Sequence, residues 1–218
     1  MTDNGGVPTL SQFAAFALAS VIFILIPGPS VLFALGRALT AGRREAVLAV
    51  GGNALGQFGQ VLAVAVGLGA LVAASATAFT VVKLVGAAYV VYLGIQAIRH
   101  RADARAALHG EDVARTTAWG AIRTGMIVGA TNPKTIVFHL AFLPQFIDAS
   151  APAVPQILLL GAIFSAMAFA CDSGWVLAAS RAKAWFARKP KRLDTLGAGG
   201  GVMMIGLGAT MATASHGA

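Results

Sequence analysis

The residues with the most chemistry to offer are an ammonium and a carboxylate set in apolar surroundings. Lys134 directly follows a proline inside the run from Thr124 to Ile147, and Asp172 is the one acidic residue inside any long apolar run. Asn132-Pro133-Lys134 would open the backbone of a helix, because proline supplies no N–H and clashes with the preceding turn. An opened turn bares amide donors at the start of the next half-helix, where the helix dipole favours an anion. An ammonium beside those donors makes a cradle for a carboxylate; the alternative is that Lys134 pairs with Asp172 or caps a carbonyl of a broken helix. Asp172 suits a proton-coupling group or a ligand for an amine, against the alternative of a static ion pair. Asn53 and Gln57 stand one turn apart and share a helix face, which can line a cavity or bond to a neighbouring helix. Lys83 is a secondary candidate, close enough to a helix end for its stem to snorkel outward.

The surroundings of these groups set the class. Of 218 residues 57% are hydrophobic and 11% charged, with a mean hydropathy of +0.78, whereas a soluble domain carries about 25% charged residues. This chain cannot cover a water-soluble globule of its size, so the solvent is lipid. Six runs are long enough for the roughly 20 residues that a helix needs to cross a bilayer: Phe13 to Gly36, Ala46 to Ala74, Phe79 to Ile98, Thr124 to Ile147, Gln156 to Ser180 and Leu196 to Ala214. None alternates in polarity as barrel strands do. The expected class is an all-α polytopic membrane protein with six transmembrane helices. The first ten residues hold no Lys or Arg, so no cleavable signal peptide is expected.

Apart from Lys83 and Lys134, the 16 basic residues fall between runs one and two (Arg37, Arg43, Arg44), three and four (Arg99 to Arg123), and five and six (Arg181 to Arg192). Cations are retained in the cytoplasm, so those three loops are expected inside and both termini outside. The net charge of +8 is then topology and not nucleic-acid binding. Residues 99–115, with His100 and His109, suit a short interfacial helix.

Run one contains Pro27-Gly28-Pro29 and run four contains Asn132-Pro133-Lys134. Each opens a unit of three helices, and since three is odd the second unit enters the membrane inverted. One domain is expected over residues 1–218, with repeat one at about 10–98, a cytoplasmic loop at about 99–120 and repeat two at about 121–214. Proline-interrupted helices at corresponding places of inverted halves point to a transporter's midplane site; the alternative is that the prolines merely bend packed helices.

Pro27-Gly28-Pro29 followed by Gly36-Arg37-Ala38 and Gly42-Arg43-Arg44 resembles the signature of the LysE/RhtB family of bacterial amino-acid exporters. So do Lys83-Leu84-Val85-Gly86-Ala87-Ala88-Tyr89 through Tyr92-Leu93-Gly94, and Asn132-Pro133-Lys134 leading into Ala141-Phe142-Leu143-Pro144-Gln145-Phe146. The resemblance implies ion-driven export of an amino acid or derivative across the bacterial inner membrane, with a small amino-acid substrate and membrane lipid as partners. One departure falls at Gln57, where family members often carry an acidic side chain, so a proton-coupling role there does not carry over.

Other classes have less to stand on. A passive channel would use the same polar faces without a coupled carboxyl. No GxxxxGK[ST], HExxH or GxSxG is present, so neither an enzyme nor a nucleotide-driven pump is expected, and no cofactor. Cys171 and His139 read as packed residues, and Cys171 lacks partners for a metal site. Gly52-x-x-x-Gly56, Gly125-x-x-x-Gly129 and Gly197-x-x-x-Gly201 read as close helix crossings, and the last helix, ending Gly206 and Gly208, could equally form a homodimer face.

Overall fold

The computed structural model describes residues 10–26, 28–74, 76–99, 116–148, 150–181, 188–189 and 191–213. Among them the regular structure is entirely helical. Helix α1 covers Leu10–Leu25 and α2 Pro29–Thr40; α3 covers Arg43–Ala74 and α4 Ala76–Arg99. Helix α5 covers Ala118–Ala130, and α6 starts as Pro133–Val137, widens to a π-helical turn at Phe138–Phe142 and ends in a 3-10 turn at Leu143–Phe146. Helices α7 (Ala153–Arg181) and α8 (Lys191–Thr213) complete the chain. Pro27, Ser75, most of the expected interfacial segment (100–115) and the basic residues Arg101, Arg105, Arg115 and Lys183 lie outside the described residues.

Among the described residues two helices, Arg43–Gly67 within α3 and all of α7, are each long and apolar enough to cross a membrane, and two bent pairs pass the same test as single spans. Helices α1 and α2 meet at 52°, while α5 and the α6 segment meet at 47°. The two breaks sit where proline was expected to open runs one and four. Both second halves begin with proline at the first helical position, where its missing N–H costs nothing. Apolar side chains such as Leu18, Leu55, Val66 and Ile127 face outward, which suits a hydrocarbon solvent and not water.

Helix crossings are set by glycine. A Cβ on Gly52 would stand 2.0 Å from the carbonyl oxygen of Ile122, and one on Gly125 would stand 2.0 Å from that of Ala49. Gly56 and Gly129 meet Met126 and Asn53 in the same way. The two GxxxG motifs therefore face each other and let α3 and α5 touch backbone to backbone. Gly94 and Gly201 bring α4 and α8 equally close, and Gly208 rests against Ala87 and Val91 of α4. Gly201 and Gly208 of the last helix are thus used within the chain, while Gly199 and Gly206 have nothing near them.

The turn between α2 and α3 depends on Gly42, whose φ of +97° lies in the left-handed region. Its N–H and that of Ala41 both donate to the Arg37 carbonyl, closing the end of α2. At the other end of the molecule Gln156 fastens the loop before α7, accepting from the Asp148 N–H and donating to the carbonyls of Asp148 and Pro152. Two hydrogen bonds from Ser150 hold the Asp148 carboxyl below its ordinary value.

Thr117 caps α5 by accepting from the Gly120 N–H at 3.0 Å. Thr117→Ala is expected to cost about 1 kcal/mol, the usual worth of such a cap. Thermal unfolding of the detergent-solubilised protein measures it, and an unchanged midpoint would show that α5 is held by its glycine crossing alone.

Candidate functional site

The breaks create orphan carbonyls, and what satisfies them defines the site. In an unbroken helix the Phe23 carbonyl would accept from residue 27, and the Gly129 carbonyl from residue 133; both are proline, with no N–H to give. Each carbonyl has found a side-chain donor from a distant element, and the Gly129 carbonyl also accepts from the Asn132 N–H at 3.3 Å. The Lys134 ammonium donates to the Phe23 carbonyl at 2.6 Å and to the Ile26 carbonyl at 2.6 Å. The Gln60 amide, on α3, donates to the Gly129 carbonyl at 2.7 Å and more weakly to those of Ala130 and Asn132. A bare carbonyl in hydrocarbon costs several kcal/mol, so these two side chains help to stabilise both breaks.

The starts of the second halves then meet. Asn132 caps α6 by accepting from the Lys134 N–H at 3.1 Å, while its side-chain nitrogen donates to the Ser30 hydroxyl at 3.0 Å on the first turn of α2. Two helix N-termini, each preceded by an interrupted helix, thus lie side by side in the interior. Gly28 caps α2 in an extended conformation, and a Cβ there would come within 2.8 Å of the Lys134 stem, so glycine leaves the lysine its path. Lys134 also lies over the Phe23 ring, 4.5 Å from its centroid.

Asp172, on α7, faces the same interior and is 2% exposed. One carboxylate oxygen accepts from the Asn53 side chain at 3.5 Å, and the other has no hydrogen-bond partner. The side-chain oxygen of Gln57 is likewise buried without a partner. Phe23, Ile24, Ser30, Gln57, Lys134 and Asp172 are among the walls of a cavity that offers only about 20 Å³ to a water-sized body, room for about one water. The site is shut. Two larger clefts lie elsewhere: one of about 370 Å³ beside Arg43, Arg44 and Thr116, and an apolar one of about 440 Å³ beside Gly59, Ala63 and Ile136.

What closes the cavity differs on its two sides. Toward the ends of the molecule that hold Leu10 and Phe146, phenylalanines interlock: Phe138 stacks on Phe164 at 4.4 Å and meets Phe23 at a tilt at 4.5 Å, and Phe16 joins Phe138 and Phe146. Toward the arginine-rich end a cluster of small or β-branched side chains, namely Ala34, Ala38, Ala46, Val50 and Val176, packs behind Arg37, with Leu35 and Leu39 also buried on α2.

Most sequence candidates come together here. Gly28, Pro29, Asn53, Gln57, Asn132, Pro133, Lys134 and Asp172 all stand at or next to the cavity. Pro27 and the side chain of Lys83 lie outside the described residues. Of the alternatives open for Lys134, carbonyl capping is what the structure shows, and no ion pair with Asp172 is present. His139 is fully buried, bonded to the Gln60 side chain at 3.1 Å and edge-on to Phe164, as expected of a packed residue. Gln60 and Ser30 were missed. Gln60 extends the Asn53, Gln57 stripe at helical spacing, and the Phe23 and Gly129 orphans could have been counted from the prolines.

A family model described as LysE type translocator matches residues 21–215. An uncharacterized membrane protein of Vibrio cholerae is 34% identical over 200 residues, covering 92% of this chain and 96% of that protein. A Salmonella typhimurium protein named homoserine/homoserine lactone efflux protein is 33% identical over 209 residues, covering 95% of this chain and 99% of that protein. No solved structure matches.

Proposed function

The chain belongs to the LysE type translocator family, and from that premise we propose that it exports an amino acid or amino-acid derivative across the bacterial inner membrane, driven by protons. It is a multi-pass membrane transporter and not an enzyme. The observation that carries the reading is the meeting of two interrupted helices around a buried ammonium, a buried carboxylate and a closed cavity. A zwitterion needs those two charges, and lipid-zone ionisable groups are costly to keep without a use.

In this reading six spans form two inverted units of three, with both termini outside and the arginine-rich end in the cytoplasm. Lys134, now shared by the Phe23 and Ile26 carbonyls, turns to the substrate carboxylate as the cavity widens, while the amides at the starts of α2 and α6 add to the cradle. Asp172 holds the substrate amine or carries the coupling proton, and Asn53 and Gln57 line the path. Homoserine, which carries the free carboxylate that this cradle needs, is the first compound to test, because two related proteins from Salmonella are named homoserine/homoserine lactone efflux protein.

Purified protein in liposomes, loaded with labelled homoserine, decides coupling. An imposed pH gradient is expected to accelerate efflux by about tenfold or more, since one pH unit is worth about 1.4 kcal/mol per proton moved. Asp172→Asn is expected to keep slow downhill exchange and to lose the response to the gradient. Wild-type efflux indifferent to the gradient would instead mark a passive channel.

A further inference from the structure

On the exporter reading, substrate must reach the cavity from the arginine-rich end, and a specific set of side chains stands in the way there. We propose that Arg37, Glu45 and Thr116 form the gate on that side, released to admit cargo. The three come from different elements: the last turn of α2, the first turn of α3, and the residue before the α5 cap. Arg37, only 8% exposed, donates to the Thr116 hydroxyl at 3.0 Å and lies 3.7 Å from the Glu45 carboxylate. That same carboxylate oxygen accepts from the Thr116 N–H and hydroxyl, each at 3.3 Å.

The position makes the cluster a gate and not merely a surface contact. Arg37 and Glu45 flank the Gly42 turn, and Thr116 is 71 residues from Glu45 along the chain, so the bonds tie the start of the second half to the first. Behind them, between latch and cavity, lie Ala34, Ala38, Ala46, Val50 and Val176. Such side chains interlock little, and parting them forfeits few contacts. The opposite exit is filled by interlocked phenylalanines, each of which surrenders far more on separation. With thin packing at one end and thick packing at the other, the polar cluster is the main restraint on the thin end among the described residues. It is also easy to release, because its carboxylate keeps some access to water and its bonds can be exchanged for hydration.

Accessibility tests the gate without any substrate, so its outcome is separable from that of the exporter reading. Ala34→Cys is introduced with Cys171→Ser, removing the chain's one native cysteine, and a membrane-impermeant thiol reagent is applied to either face of sealed vesicles. Glu45→Gln, and independently Thr116→Val, which removes the hydroxyl's bonds to both Arg37 and Glu45, are expected to raise labelling from the arginine-rich face about tenfold or more, the equilibrium shift from losing at least one charge-assisted hydrogen bond, with no change from the other face. Thr116→Val leaves the Arg37–Glu45 charges matched, so it reads the gate even where Glu45→Gln hinders insertion by leaving Arg37 uncompensated. Unaltered labelling, or an equal rise from both faces, would overturn the assignment. Faster labelling in a protein that exports no amino acid would leave the gate standing and remove the exporter reading.

Discussion

Lys134→Ala is expected to abolish export, cutting efflux by at least about a hundredfold, while the protein still reaches the membrane. Two charge-assisted hydrogen bonds run from this ammonium, each worth about 1.5–3 kcal/mol, and about 1.4 kcal/mol is tenfold. In the closed state they go to the Phe23 and Ile26 carbonyls; in the proposed loaded state a carboxylate takes one or both. Removing the amine therefore strips the cradle and at the same time frees the end of α1. Lys134→Met separates the two effects, because it keeps a long stem against Gly28 and the Phe23 ring but carries no charge. Efflux assayed in proteoliposomes, beside the amount of folded protein recovered, should show both variants inactive and the methionine variant better folded. Efflux at the wild-type rate in either would take Lys134 out of the mechanism.

The second large effect concerns assembly and not transport. Gly52→Leu or Gly129→Leu is expected to prevent α3 from docking on α5, at a cost of about 3 kcal/mol or more, the upper end of the usual range for overpacking. A Cβ at either place would meet backbone at 2.0–2.1 Å, and backbone of one helix cannot yield as a flexible side chain can. Because Asn53 and Gln57 ride on α3 while Gly129 ends α5, the same displacement would also pull Gln60 from the Gly129 carbonyl. Size-exclusion profiles in detergent measure the loss. Gly59→Leu, on the same helix but with open space around it, should elute as wild type. Equal behaviour of the Gly52 and Gly59 variants would contradict the crossing.

Much of the architecture could be read before any coordinates, since lipid leaves a helix few options. Long apolar runs had to be helices, and prolines at 29 and 133 had to interrupt them. The inward face of α3 was legible at Asn53 and Gln57, because a polar stripe on a lipid helix looks inward. Which groups it would meet was not legible. Asp172 lies 119 residues from Asn53, and nothing local to either announces the other. The lysine shows the same limit. Its burial followed from depth, but whether it would serve an acid, a carbonyl or a ligand depended on α1 ending beside it, 108 residues away in sequence. Gly52, Gly56, Gly125 and Gly129 announced close crossings without saying that they would cross each other. The latch of Arg37 and Glu45 looked like ordinary topology charge, because positive-inside counting treats every loop cation alike.

The central claim is that the space between the two interrupted helices takes the cargo, with its carboxylate on Lys134. Solid-state NMR of the protein carrying ¹⁵N-lysine in a lipid bilayer, incubated with amino acid ¹³C-labelled at the carboxyl, measures that contact as a through-space coupling. For a compound shown to be exported, a carboxyl carbon within about 4 Å of a lysine nitrogen, as a charge-assisted bond requires, and absent in Lys134→Met, is the expected result. Bound and exported compound with no such coupling would contradict it.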